Sequence, residues 1–191
     1  MVKHVSFDDY QKTQTNYKDA NFLQSAEMAK LQLSRNHIGE VEALVFERDG
    51  LRIGQAIVVY RRSFRIFRKA LLFHGPLLDY NSIADLTDLL EALILYLKKK
   101  NIASLSIHPY LTDLIRNEEL EIIEEEKADE VSKVFEKLGF EQYLDPEQAL
   151  VVDQMFVKPI DTFTTSDEML AAFSPSLKRD LKKIHCFECQ S

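Results

Sequence analysis

Glycine and proline are scarce in this chain, at 5 each in 191 residues. That scarcity excludes a collagen-like or low-complexity chain and leaves an ordinary folded one. Cysteine is rarer: the only two, Cys186 and Cys189, fall within the last six residues. Two thiols so placed cannot staple a fold of this size, and a reducing cytoplasm is the expected compartment. The N-terminus lacks the apolar segment of a signal peptide. The most apolar window, Ile83 to Leu97, is broken by Asp85, Asp88 and Glu91, which excludes a membrane span there. Positive charge is in deficit, with 24 Lys and Arg against 31 Asp and Glu, a net charge of −7. Non-specific nucleic-acid binding by the whole molecule is therefore not expected, although a local basic patch can still meet a phosphate.

Familiar chemical motifs are also missing. There is no G-x-x-x-x-G-K-[ST] and no G-x-G-x-x-G, and no Ser-His-Asp order. His185-Cys186-Phe187-Glu188-Cys189 holds a single C-x-x-C, where a structural zinc site needs four ligands. A redox C-x-x-C opens a helix after a strand; this one closes the chain and reads as an incidental tail. No metal and no cofactor are expected.

What is present is a core-forming chain, 46% hydrophobic. Residues 7–18 read as a short surface helix. Phe22, Ala26, Ala29 and Leu33 recur at helical spacing, with Ser25 as N-cap. Val41 to Glu47 and Ile53 to Tyr60 read as strands joined at Asp49-Gly50, a strong hairpin signal. A third strand, Ala70 to Phe73, stops at Gly75-Pro76. Ser82 then caps a helix whose apolar stripe is Ile83, Leu86, Leu90, Leu93, Ile94 and Leu97. Lys98, Lys99 and Lys100 complement its C-terminal dipole. Ala103 to Ile107 reads as a strand closed by Pro109 and, following a crossover helix, parallel to its neighbour. Residues 118–130 carry eight acids against Lys127 alone and read as a solvated loop or frayed helix start. A helix follows through Val131, Val134, Phe135 and Leu138 to a Gly139 C-cap. Val151 to Val157 reads as a strand, and Ser174-Pro175 opens a last helix. The fold class expected is α/β, an α+β mixed sheet with helices on both faces.

Four segments carry a family resemblance: Phe22-Leu23-Gln24-Ser25, Phe73 to Tyr80, Leu105 to Leu111, and Lys137-Leu138-Gly139-Phe140. Together they resemble the Fem-type (FemABX) family over roughly residues 20–185. The resemblance implies a GNAT-like acyltransferase fold and transfer of amino acids from aminoacyl-tRNA to the stem peptide of a peptidoglycan precursor. Residues 1–158 would form a GNAT-like first subdomain. Residues 159–191 would begin an incomplete second one, opened by the basic helix at 174–184. The implied partners are aminoacyl-tRNA and the lipid-linked or nucleotide-linked precursor. The implied place is the cytoplasm, peripheral at the inner membrane face.

The resemblance also suggests substrate-binding residues, with departures. The family's Lys, two residues beyond Lys30, is here Gln32, which hydrogen-bonds but forms no ion pair. An aromatic is replaced by Arg35. Lys30 or Arg35 compensates, or all three are ordinary exposed helix residues. His74 stands where Arg or Lys usually precedes Gly-Pro, and His108 where Asp often precedes Pro109; both also suit turn capping. No catalytic base is assigned.

Arg61 to Lys69 holds five basic residues in nine, interleaved with Phe64, Ile66 and Phe67. Arg61, Arg62 and Arg65 can meet anionic lipid heads or a pyrophosphate, or stand on a solvated hairpin.

Two rival readings stay open. One is a non-catalytic binding module derived from this fold. The other is an acetyl-CoA-dependent GNAT acetyltransferase, disfavoured because Gly50 and Gly54 lie in a hairpin and no Gly-rich loop follows a strand. As a truncated copy, the chain alone is expected to be inactive, with an apolar edge that promotes self-association.

Overall fold

The structure, a computed structural model, describes residues 1–35, 40–63, 67–112, 114–117, 121–125, 128–142, 164–176 and 178–179. It divides into two compact units, Met1–Pro146 and Glu147–Ser191.

The first unit is a mixed α/β sheet with helices on both faces, as expected. Its main sheet runs β1 (Val2–Val5), β2 (Glu40–Arg48), β3 (Leu51–Ser63), β4 (Phe67–Phe73) and β6 (Ser104–His108), with β5 (Leu77–Leu78) also paired to β3. The first four strands are antiparallel neighbours. Asp49 (φ 52°) and Gly50 (φ 82°) make the β2–β3 turn in the left-handed region, as a tight hairpin demands. The β4–β6 pair is parallel, from Lys69 opposite Ser104 to Phe73 opposite His108. The connection between them holds α3 (Ile83–Lys99).

The alternation of β-strand side chains sorts the core into two faces. On one face, Leu44, Ala56, Val58 and Leu72 pack against Leu86, Leu89, Leu90 and Leu93 of α3. Ser82 caps that helix by accepting from the Asp85 N–H. On the other face, Ala43, Ile57, Val59 and Leu71 pack against Tyr10 and Ala29. Tyr10 belongs to α1 (Phe7–Gln14) and Ala29 to α2 (Ala26–Ser34).

The C-terminal end of α3 is tied down by a network around Glu42. Its carboxylate accepts from Tyr60 Oη (2.6 Å), Tyr96 Oη (3.1 Å) and Lys100 Nζ (2.5 Å). Burial pushes the Glu42 carboxyl up, but the Lys100 ammonium and the two phenols outweigh it, and the net shift is down. Lys100 and Arg68 both pair with Glu40, and both lie over the Tyr60 ring.

Three local readings differ from the structure. Residues Phe22–Gln24 form a separate 3₁₀ turn, and Ser25 caps α2 behind it. The buried face of α2 is Ala26, Ala29 and Gln32, while Phe22 and Leu33 are exposed. The acidic stretch contributes a strand: β7 (Leu114–Arg116) and β8 (Ile122–Glu125) pair antiparallel as a small second sheet. The helix after it is α4 (Ala128–Lys137), with Gly139 at φ 83° beyond its end.

The second unit contains α5 (Ser166–Ala171), which no sequence signal above anticipated. Thr165 and Glu168 close a reciprocal capping box at its start. The strand expected at 151–157, most of the helix expected at 174–184, and the C-x-x-C segment lie outside the described residues.

Candidate functional site

The parallel pair sets the site. In an α/β sheet, functional groups gather at the carboxyl ends of parallel strands, where loops leave the sheet. Here β4 ends at Phe73 and β6 at His108, directly opposite one another. The Phe73 and His108 rings meet edge-on at 5.7 Å. One residue on, His74 turns with φ 51°, and its ring stacks on Tyr110 at 5.1 Å. The backbone is clamped by the Gly75 N–H donating to the His108 carbonyl (3.1 Å). From β3, the Arg61 guanidinium reaches over the Phe73 ring at 5.9 Å.

The segment Phe22 to Ser25 locks this arrangement from below. Gln24 is fully buried. Its Nε2 donates to the carbonyls of Phe73 (2.7 Å) and Ile57 (3.3 Å). Its Oε1 accepts from the Ile57 N–H (2.8 Å) and the Tyr10 hydroxyl (3.3 Å). Asn21 Nδ2 donates to the His74 carbonyl (2.8 Å). Gly75 leaves room for this side chain: a Cβ there would stand 2.6 Å from Gln24 Cδ. The Gln-Ser pair is thus a cross-link and a helix cap.

Two polar groups at the site lack a partner. His108 Nδ1 and Arg61 Nε are buried with none among the described residues, as is Gln32 Oε1 on α2. Burial lowers the pKa of His74. Burial, and then the neighbouring His74, lower that of His108. Both imidazoles are therefore held neutral near neutral pH. The cluster offers a bound molecule two imidazole edges, a guanidinium and a stacked aromatic pair.

Of the residues singled out in the sequence, His74, His108 and Arg61 come together. Lys30 instead pairs with Asp8 of α1 at 3.3 Å. Arg35 is exposed at the end of α2. Gln32 is buried on the sheet side of α2, its Nε2 against Met28 Sδ at 3.6 Å. Arg62 is exposed, and Arg65 lies outside the described residues. Tyr110 and Phe73 were missed as site residues, because only strand register brings them to His74 and His108. A surface depression of about 420 Å³ opens elsewhere, between the β2–β3 hairpin and α3, and is lined by Phe46, Ile53, Glu91 and Leu95. It contains none of these groups, so the strand-end cluster is the better candidate. No metal-binding cluster of His, Cys, Asp or Glu is found among the described residues.

The sheet and its covering helices define a mixed α/β domain with the strand-end cluster at the carboxyl ends of its parallel pair. The description of the FemAB family matches residues 3–187 of this sequence, and the chain belongs to that family. The crystal structure of FemX superposes with a TM-score of 0.59 at 16% identity, covering 95% of this chain and 42% of that one. The chain thus spans well under half the length of FemX. A transcriptional regulator from Bacillus halodurans C-125 (TM-score 0.49, 10% identity, 82% of this chain and 99% of that one) is also similar. So is a ribosomal-protein-alanine N-acetyltransferase from Brucella melitensis biovar Abortus 2308 (TM-score 0.44, 13% identity, 76% and 98%). No curated protein matches by sequence. Among the described residues, no helix is long and apolar enough to cross a membrane.

Proposed function

We propose that this chain serves Fem-type aminoacyl transfer to a peptidoglycan precursor, in the cytoplasm. The observation that carries this is the family match over residues 3–187. In this reading residues 1–158 form the first acyltransferase-type subdomain and residues 159–191 begin a second. The donor is an aminoacyl-tRNA. The free amine of a stem peptide attacks the ester carbonyl, an amide C–N bond forms, and the ester C–O bond to the tRNA ribose breaks. The amine's proton leaves as the ribose hydroxyl is restored. Such aminolysis depends chiefly on holding an already reactive ester against the amine and keeping water out. Arg61, His74, His108 and Tyr110 are the contacts this domain offers the acceptor, with Lys30, Gln32 and Arg35 supplying the α2 side.

Thermal shift separates this reading from its nearest rival. Nucleotide-linked stem-peptide precursor is expected to raise the melting temperature, and acetyl-CoA to leave it unchanged. A shift with acetyl-CoA and none with precursor would establish the acetyltransferase instead. The companion measurement is label transfer from radiolabelled aminoacyl-tRNA to the precursor, which this chain alone, with only the start of a second subdomain, is expected not to carry out at a measurable rate.

A further inference from the structure

The depression of about 420 Å³ between the β2–β3 hairpin and α3 takes no part in the strand-end cluster. Its floor is apolar, with Phe46, Ile53 and Leu95, and Leu95 leaves 59% of its surface in water. Four carboxylates line it, Glu47, Asp49, Asp88 and Glu91, against the Arg48 guanidinium and the Met1 amine. Arg48 is already held by Asp85 and Asp88, and Glu47 by Lys3. Glu91 is exposed and has no ion pair among the described residues. An apolar floor with an acidic rim is complementary to an apolar side chain flanked by cations.

This chain carries such a side chain at the other end of β3. Phe67 of β4 leaves 53% of its surface in water. Side chains alternate along a strand, so Lys69 shares the face of Phe67, and Arg61 stands directly opposite Lys69. Like charges so placed repel, and an incoming carboxylate relieves them. Neither cation has a carboxylate partner among the described residues. Groove and ring cannot meet within one chain. β3 runs from Leu51 at the groove end to Ser63 opposite Phe67, roughly 40 Å at about 3.3 Å per residue. The groove also opens beside α3, whereas Phe67 and Lys69 share the sheet face of Leu71, on the side of α1 and α2.

We propose that the groove receives Phe67 of a second copy of this chain, with Lys69 of that copy meeting Glu91. At a net charge of −7, copies repel one another in general, so contact is confined to the place where cations meet acids. The two halves of the contact are different surfaces on opposite faces of the sheet. The association is therefore head to tail and passes from copy to copy. One ring in one groove buries a small area, so it is weak and depends on concentration. None of this depends on the transferase reading.

The test is sedimentation equilibrium of the whole chain across a wide range of protein concentration. The apparent mass is expected to rise with concentration past that of a dimer. The rise should shrink as added salt shortens the screening length from about 8 Å to about 3 Å. Phe67→Ser should weaken association about tenfold or more, because an aromatic anchor carries a large share of a small interface. Lys69→Glu should weaken it as well, and Lys69→Glu with Glu91→Lys should restore it. Phe67, Lys69, Glu91 and Leu95 are all exposed, so these variants should fold. Mixing separates this contact from any other. Phe67→Ser keeps its groove, and Glu91→Lys with Leu95→Lys keeps its ring. Each should be monomeric alone, and together they should form a one-to-one pair that grows no further. A wild-type chain that stays monomeric at every concentration overturns the proposal and leaves the groove to a cationic segment of another protein. So does undiminished association by Phe67→Ser, or a mixture of the two variants that does not pair.

Discussion

Gln24 does at the residue scale what no apolar side chain can do. It sits between α2 and the sheet and gives both ends of its amide to backbone groups of β3 and β4. Gln24→Ala would leave a buried N–H and buried carbonyls unpaired, at about 1–3 kcal/mol for each orphaned group. Thermal unfolding should show a loss of about 3 kcal/mol or more. Gly75→Ala presses on the same amide, since its Cβ would meet Gln24 within 2.6 Å, and should also destabilise. The two losses should not add, because Gln24→Ala removes the atoms that Gly75→Ala strikes.

The histidines set a pH window. Both have folded pKa values below the ordinary 6.5, so the unfolded chain binds protons that the folded chain refuses. Stability is then complete above 6.5 and falls as pH drops from 6.5 toward the folded values. Glu42 acts lower: its pKa is depressed from 4.5, so its contribution is present above 4.5 and is lost as pH falls below that. Denaturant titrations of wild type and of His74→Gln with His108→Gln should differ in slope just below pH 6.5 and run parallel at neutral pH. Identical curves through that range would show that the two rings do not resist protonation.

Among the elements, α3 was the most legible in the sequence. Its stripe of leucines at a period of 3.6 admits one reading, and Ser82 caps it as expected. Leu89 was missed from the stripe, yet it is fully buried. Leu90→Ala should cost about 3 kcal/mol. Leu90→Asp should unfold the domain, because an unpaired carboxylate among leucines is far more costly. Gly54 shows a constraint that no periodicity reveals. A Cβ there would stand 2.4 Å from Leu89 Cδ1 and 3.0 Å from the Leu77 carbonyl, so this one position lets β3, β5 and α3 close together. Gly54→Ala is expected to cost about 1–3 kcal/mol through overpacking, measured as a fall in the denaturant midpoint.

Other elements were hidden for identifiable reasons. On α2 the large apolar residues point outward, and two alanines let the helix lie close to the sheet. A reading by hydrophobic size therefore chose the wrong phase. In β8 the surrounding acids obscured Ile122 and Ile123, and pairing with β7 is a register fact that local composition does not carry. The Asp49-Gly50 turn was legible because few residue pairs accept that backbone. The strand-end cluster was half legible: His74 and His108 stood out beside prolines, but their meeting follows from the parallel β4–β6 register and the approach of Arg61 from the antiparallel β3–β4 pair.

On the scale of the whole molecule, the first unit carries two hydrophobic cores of its own. Among the described residues, those assigned to them lie between Val2 and Leu138, and the unit ends at Pro146. Hydrophobic burial supplies most of the driving force for folding, at about 25 cal/mol per Å² of apolar surface. A unit with that much apolar burial within it is expected to fold on its own. A fragment of residues 1–146 is therefore expected to unfold cooperatively, within a few degrees of the full chain. It should also keep the near-ultraviolet signature of buried Tyr10 and Tyr60, both of which are about fully buried. The Glu42 network lies wholly inside the fragment as well, so its acid sensitivity below pH 4.5 should persist. If the fragment instead shows helical far-ultraviolet dichroism without a near-ultraviolet band, it is a loosely packed state. The two cores would then not be enough to fold the unit.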